Sequence, residues 1–233
     1  MEGEIEMGNL ENREFQRNSD TEKEYDNIDE GVRAVREAVL LWEQSHSREK
    51  SLVLIAGPSA AGKDKFIEKL GFDEGTLHLS LDRYYLDADQ VKSTLGTLNF
   101  SVPEALDQVR IKEDIRKILS AEEGHMVSVP IYDMRQSKKV GEEEITVQRR
   151  IVVQGVYTFI LVSVDTPFRV FIDANISTRL QRKINRDTKE RSIPEDTVRE
   201  RFEKNARPAV EQYVMPQKEK ATIVVHNNMS SPS

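Results

Sequence analysis

The chain has 233 residues, a formal net charge of -7, 37% hydrophobic and 32% charged residues, and no cysteine. That length suits one compact α/β domain with small appendages, and the missing cysteines exclude a disulfide framework and a thiolate zinc site. The acidic balance argues against a nucleic-acid partner, because phosphate neutralisation needs clustered Lys and Arg. The longest apolar run, Thr158 to Val164, is far short of a membrane span, and no secretory signal pattern opens the sequence. The expectation is a soluble, cytoplasmic globular protein without a membrane or nucleic-acid partner.

Residues 1–28 carry nine acidic against three basic residues and no usable apolar period. They read as a flexible acidic tail, because too little apolar surface is present to offset the entropy of ordering. Residues 29–50 hold a packing helix, with Val32, Val35, Val39 and Trp42 on one face and Asp29 as its cap. The run from Ser51 to Ala56 is apolar without alternation, which suits a strand buried on both faces of a parallel sheet. Further strands are predicted at Thr76–Ser80, Ile151–Gln154, Phe168–Asp173 and Ala221–His226, and helices at Asp64–Leu70, Pro103–Leu119, Thr178–Thr188 and Pro194–Lys220. Alternation returns between Val127 and Arg149, around a Lys-Lys-Val-Gly-Glu turn, and predicts a β-hairpin. The fold class is therefore α/β: a five-stranded, doubly wound parallel sheet with helices on both faces, spanning 51–228, plus the hairpin. Residues 229–233 read as a disordered end.

Gly57-Pro58-Ser59-Ala60-Ala61-Gly62-Lys63 follows the first buried strand and opens a helix. Strand, small-residue loop and helix in this order make a phosphate cradle. Backbone N–H groups close around the anion, the helix dipole points at it, and Lys63 adds a mobile positive charge. The next position, where Ser or Thr would ligate Mg²⁺, is Asp64. A carboxylate can ligate magnesium, yet it costs affinity for phosphate when no metal is bound.

Further segments complete a pattern: Leu79-Ser80-Leu81-Asp82-Arg83-Tyr84-Tyr85, Asn99 to Asp107, Pro130-Ile131-Tyr132-Asp133, Val152-Val153-Gln154-Gly155, and Thr178 to Asp187 after Phe171-Ile172-Asp173. In this order and spacing, from about Ser51 to Asn227, the chain resembles the uridine–cytidine kinase and phosphoribulokinase family of P-loop kinases. The resemblance implies transfer of the γ-phosphoryl group of ATP, with Mg²⁺, to a hydroxyl of a small acceptor such as uridine or cytidine. Under it the loop residues Gly57 to Asp64 hold the phosphates. Asp82 acts as base and as an indirect magnesium partner, and Tyr85, Phe100 and Tyr132 line the acceptor pocket. Arg179, Arg182 and Arg186 form an arginine-bearing lid: Arg182 and Arg186 on the nucleotide, Arg179 on the acceptor. Asp187 orients Arg186. A homo-oligomer is compatible with this reading.

Besides Asp64, four positions depart from the family pattern. Gln154 stands where the family has the Glu that supports the magnesium shell, so Asp64, Asp82 and Gln154 become the candidate metal set. Ser101 and Ser137 replace an Asp and a His of the acceptor site, and Ser192 replaces a Gly. The changes at 64 and 154 are either one carboxylate relocated across the site or two lesions. Besides the nucleoside kinase, two readings stay open: a catalytically impaired nucleotide-binding module, and a kinase for a sugar phosphate or hydroxy acid. His46, His78, His125 and His226 show no metal-ligand spacing.

Overall fold

The computed structural model describes residues 23–72 and 74–228. Strand β1 (Lys23–Tyr25) leads into α1 (Ile28–Ser45), followed by β2 (Ser51–Ala56), α2 (Lys63–Leu70), β3 (Thr76–Ser80), α3 (Ala88–Leu95) and α4 (Gln108–Ser120). The hairpin strands β4 (Met126–Asp133) and β5 (Lys138–Thr146) come next. After them run β6 (Arg150–Gln154), α5 (Thr158–Leu161), β7 (Phe168–Asp173), α6 (Ile176–Arg191), α7 (Glu195–Arg201) and finally β8 (Ile223–His226).

Six parallel strands form one sheet in the order β1-β8-β7-β2-β6-β3. Strand β2 lies in its interior and is buried at all six residues, which explains its unbroken apolar sequence. Its side chains alternate between two cores. Leu52, Leu54 and Ala56 pack with Ile111, Ile115 and Ile118 of α4, whereas Val53 and Ile55 pack with Val35 and Val39 of α1 and Phe66 of α2. The carboxyl ends of β2, β3 and β6 therefore open on the same edge, beside the point where the chain leaves β2 for β3 on one side and β6 for β7 on the other. Ligands bind at that point in open α/β sheets.

The five expected strands are present, and a sixth is added. Residues 23–28, read from sequence as tail, instead pair with β8 and begin α1. The rest of the expected tail, 1–22, and the expected end, 229–233, lie outside the described residues. The cap of α1 is Asn27, whose side chain accepts from Glu30 N at 2.9 Å, rather than Asp29. The hairpin is present but its tip is shifted. Lys138 to Glu142 belong to β5, and the turn is formed by residues 134–137, where the Asp133 carboxylate accepts from Arg135 N and Gln136 N. A bulge between Ile131 and Tyr132 leaves Val140 unpaired. The helix expected from Pro103 begins as a 3-10 turn, Pro103–Ala105, and only becomes α-helical at Gln108. The long helix expected from Pro194 to Lys220 is α-helical at first and again at Arg207–Ala209, with wide turns at Phe202–Ala206 and Val210–Val214 and a 3-10 end at Met215–Lys220. Pro208 and Pro216 lie within it and cannot donate to the ladder.

Helix α1 sits so close to the sheet that a Cβ on Gly31 would lie 2.4 Å from Val225 Cγ2. Gly31→Ala gains about 1 kcal/mol of helix propensity, but overpacking a fully buried valine costs about 1–3 kcal/mol. The expected outcome is a net loss of stability in urea unfolding, partly recovered in Gly31→Ala/Val225→Ala.

Candidate active site

The loop after β2 bends where it does because Gly57 takes φ +146°, and a Cβ there would lie 2.1 Å from Ile172 O on β7. No other residue fits that approach. The loop closes with Gly62 at φ +100°, and α2 starts at Lys63 with no side-chain cap. Its first N–H groups are thus left for an anion.

Lys63 is buried, and its Nζ donates back to Gly57 O at 3.0 Å and Pro58 O at 3.1 Å. Burial lowers its pKa, opposed by the Asp82 and Asp64 carboxylates. Asp82 follows β3 in a short turn, its N donating to Ser80 Oγ at 3.3 Å. The residue is exposed at the cavity, and the desolvating protein around that cavity raises its pKa, with Lys63 pulling the other way.

Asp82 opens into a cavity of about 540 Å³. Of the residues expected from sequence, Ser59, Asp82, Tyr85, Phe100, Ser101, Tyr132, Ser137 and Arg186 line it. The three aromatic rings meet: Tyr85 lies 5.8 Å from Phe100, nearly perpendicular, and 5.9 Å from Tyr132. Tyr132 is fixed by donating its hydroxyl to Leu86 O at 3.1 Å.

The three arginines do not converge. Arg186 alone of them lines the cavity. Arg182 donates to Ala60 O and Ala61 O of the loop, and Arg179 is buried, donating to Ala174 O at 3.0 Å and lying over the Phe202 ring. Helical spacing does place them on one face of α6, but the helix runs past three different neighbours, so each guanidinium finds its own partner. Asp64 and Gln154 also stand apart from the cavity and meet each other, Gln154 Nε2 donating to Asp64 Oδ1 at 3.0 Å and to Ser80 Oγ at 3.2 Å. Ser192 holds φ +55°, the left-handed conformation that a glycine would take without strain.

Sequence reasoning missed several cavity residues. Tyr157, Lys183, Arg191, Arg135 and Arg201 all line it. Lys183 and Arg191 join Arg186 on the buried Asp187 carboxylate, at 3.1, 3.5 and 2.9 Å. Burial alone would raise the pKa of Asp187, but Lys183 and Arg186 outweigh it and hold it below the ordinary range. Spacings of i,i+4 around Asp187 were the available signal.

The donor set around Asp64 and Asp82 is all oxygen once the Gln154 carbonyl is included, which suits a hard cation. Among the described residues no three His, Cys, Asp or Glu gather as a metal-binding group. Asp64 and Asp82 would be the ligands if magnesium bound here, since that ion keeps several waters and binds through one or two carboxylates plus substrate phosphates.

Two outcomes follow from these contacts. Asp187→Ala strands three cations and is expected to cost about 3–5 kcal/mol in chemical unfolding. Because the folded pKa of Asp187 is depressed, its contribution is complete above the unfolded value of 3.8 and disappears as pH falls through the lower folded value. The variant's stability will accordingly fall less steeply in that acid range than the wild type's. Gln154→Glu replaces a 3.0 Å donor–acceptor contact with two facing carboxylates. It is expected to lower the melting temperature at neutral pH, and Asp64→Ser in the same chain is expected to restore it.

The family model described as "Phosphoribulokinase / Uridine kinase family" matches residues 52–231. The uridine-cytidine kinase 2-B of Danio rerio is 29% identical over 202 residues, 78% of this chain and 76% of that protein. The uridine kinase of Shewanella halifaxensis is 28% identical over 195 residues, 77% and 89% of the two chains. Among solved structures, a possible uridine kinase from Bacillus stearothermophilus superposes with a TM-score of 0.60 at 13% identity, covering 84% of this chain and 97% of the other. The D-glycerate 3-kinase of Cryptococcus neoformans gives 0.53 at 16% identity, covering 82% and 87%. The match over 52–231, set on a glycine-bounded loop and the aspartate facing it, shows that the chain belongs to the phosphoribulokinase and uridine kinase family, as a uridine kinase-like kinase.

Proposed function

We propose that the protein transfers the γ-phosphoryl group of ATP to a hydroxyl of a nucleoside such as uridine or cytidine. The observation that carries this reading is the position of Asp82, at the tip of β3, facing Lys63 on one side and the Tyr85–Phe100–Tyr132 rings on the other. A base lying flat among those rings would place its sugar hydroxyl toward the carboxylate.

The chain's own groups then divide the work. The loop N–H groups and the N-terminus of α2 hold the phosphates. Lys63 exchanges its contacts with Gly57 O and Pro58 O for phosphate oxygens. Asp82 accepts the proton of the attacking hydroxyl, and its raised pKa makes it a better acceptor than an ordinary carboxylate at neutral pH. Arg186 and Lys183, held by Asp187, face the charge that develops on the transferring group. Magnesium, when bound through Asp64, Asp82 and waters on Gln154, would neutralise phosphate charge.

One observation favours a second reading. Arg135 and Arg201 add two further cations to the cavity, and Ser101 and Ser137 supply only neutral hydroxyls. An acceptor with its own phosphate or carboxylate, such as a sugar phosphate or a hydroxy acid, would use that charge.

A panel of acceptors tests both: uridine, cytidine, purine nucleosides, ribulose phosphate and glycerate, read as ADP produced. Turnover on pyrimidine nucleosides is expected, and Asp82→Asn should reduce it about 10²–10⁴-fold while nucleotide binding persists. Turnover on anionic acceptors alone supports the second reading. Nucleotide binding with no turnover on any acceptor overturns the kinase assignment in favour of a binding module.

A further inference from the structure

We propose that Asn227 is a positioning residue that sets the shape of the phosphate loop and ties that loop to the arginine helix α6. It lies just beyond β8, 4% exposed, with its backbone N donating to Asp173 O at 2.8 Å. Its side chain works in both directions. Nδ2 donates to Ala61 O at 2.8 Å, while Oδ1 and the backbone carbonyl accept from Arg182 Nη2 at 3.3 and 3.1 Å. Arg182 reaches the same loop with its other nitrogen, donating to Ala60 O at 3.3 Å and Ala61 O at 3.2 Å.

Ala61 O thus receives two donors, one for each lone pair. The peptide between Ala61 and Gly62 is planar and trans, so a carbonyl held outward by Asn227 and Arg182 turns the Gly62 N–H the opposite way, toward the interior of the loop. That is the direction an anion needs. The same contact explains the second glycine of the loop. A Cβ on Gly62 would lie 2.2 Å from Asn227 Nδ2, so Gly62 makes room for the asparagine as well as for a phosphate. Leucine has neither polar group, and aspartate has only the acceptors. An amide is the side chain of this size that can serve the loop carbonyl and the guanidinium at once.

The mechanical consequence reaches the far side of the site. Beside and one turn beyond Arg182, α6 carries Lys183 and Arg186 into the cavity. Through Asn227, the loop that holds the nucleotide and the helix that faces the transferring group are referenced to the same point at the end of β8. Asn175, at the start of α6, is fixed to the same segment, its N donating to Asn228 Oδ1 at 2.8 Å.

The inference rests on reading the loop as a triphosphate cradle, and the test separates the two. Binding of a nonhydrolysable ATP analogue is measured by calorimetry on the full chain, and hydrogen exchange of the loop amides 57–64 is measured without nucleotide. Asn227→Ala is expected to weaken analogue binding about tenfold and to speed loop exchange. Asn227→Asp keeps the acceptor for Arg182 but sets a carboxylate against Ala61 O, and is expected to do the same with a better-preserved fold. Thr166→Val removes another buried bond, the hydroxyl to Leu52 O, at the opposite end of β2. It serves as the match for stability loss alone, with affinity and loop exchange unchanged. Loop exchange in both Asn227 variants equal to wild type overturns the inference, whatever the nucleotide result. Faster exchange in a protein whose wild type binds no analogue supports the positioning role and rejects the nucleotide reading instead.

Discussion

Lys63 and Asp82 are opposite charges beside one cavity, the lysine held on two loop carbonyls and the aspartate open to the cavity. Burial pulls the lysine pKa down and pushes the aspartate pKa up, and each only partly offsets the other. Such a pair is costly in a protein kept only for its fold, since desolvated charge offsets much of its own attraction. It becomes favourable when a polyanion faces the lysine and a cation or an acidic proton faces the carboxylate. The sheet exists to hold that opposition. Buried β2 and edge strand β3 deliver the two residues to the same end of the sheet, with β6 between them supplying Gln154.

Around this pair the other charges of the site are already partnered within the protein. Asp187 gathers Lys183, Arg186 and Arg191 on one side, and Gln154 rather than a cation meets Asp64 on the other. The cationic wall is therefore pre-assembled without a substrate, which lowers the reorganisation needed when phosphate charge develops. Asp82 is left as the carboxylate that faces both the lysine and the open cavity, the property a proton acceptor requires.

The parts of this arrangement legible in the sequence are those encoded by local pattern. The unbroken run at Ser51–Ala56 gave a two-faced buried strand, and the Gly57–Gly62 spacing gave the loop, because burial and positive φ leave a direct mark on residue choice. The aromatic cluster became visible only through the family resemblance, since isolated Tyr and Phe read equally as core. What stayed hidden depends on distant partners. Three residues, Lys23–Tyr25, form a strand because β8 offers a free edge, not because their own sequence favours it. The hairpin turn moved off Lys-Lys-Val-Gly-Glu because the Asp133 carboxylate accepts from Arg135 N and Gln136 N just after it. Helical spacing foresaw that Arg179, Arg182 and Arg186 share a face, but not that the loop, a backbone carbonyl and the cavity divide them.

The exchange at positions 64 and 154 is the clearest case of two departures that make sense only together. Each alone looks like damage: a carboxylate where a hydroxyl is expected, and an amide where a carboxylate is expected. In space they touch, with the amide N–H on the carboxylate at 3.0 Å. A glutamate at 154 facing Asp64 at that distance would raise the cost of ionising both, whereas Gln154 can donate to Asp64 and still present a carbonyl oxygen. A donor at 154 is thus the condition under which an aspartate at the start of α2 is tolerated beside a phosphate site. The contact makes the two departures complementary, one supplying the donor that the other accepts.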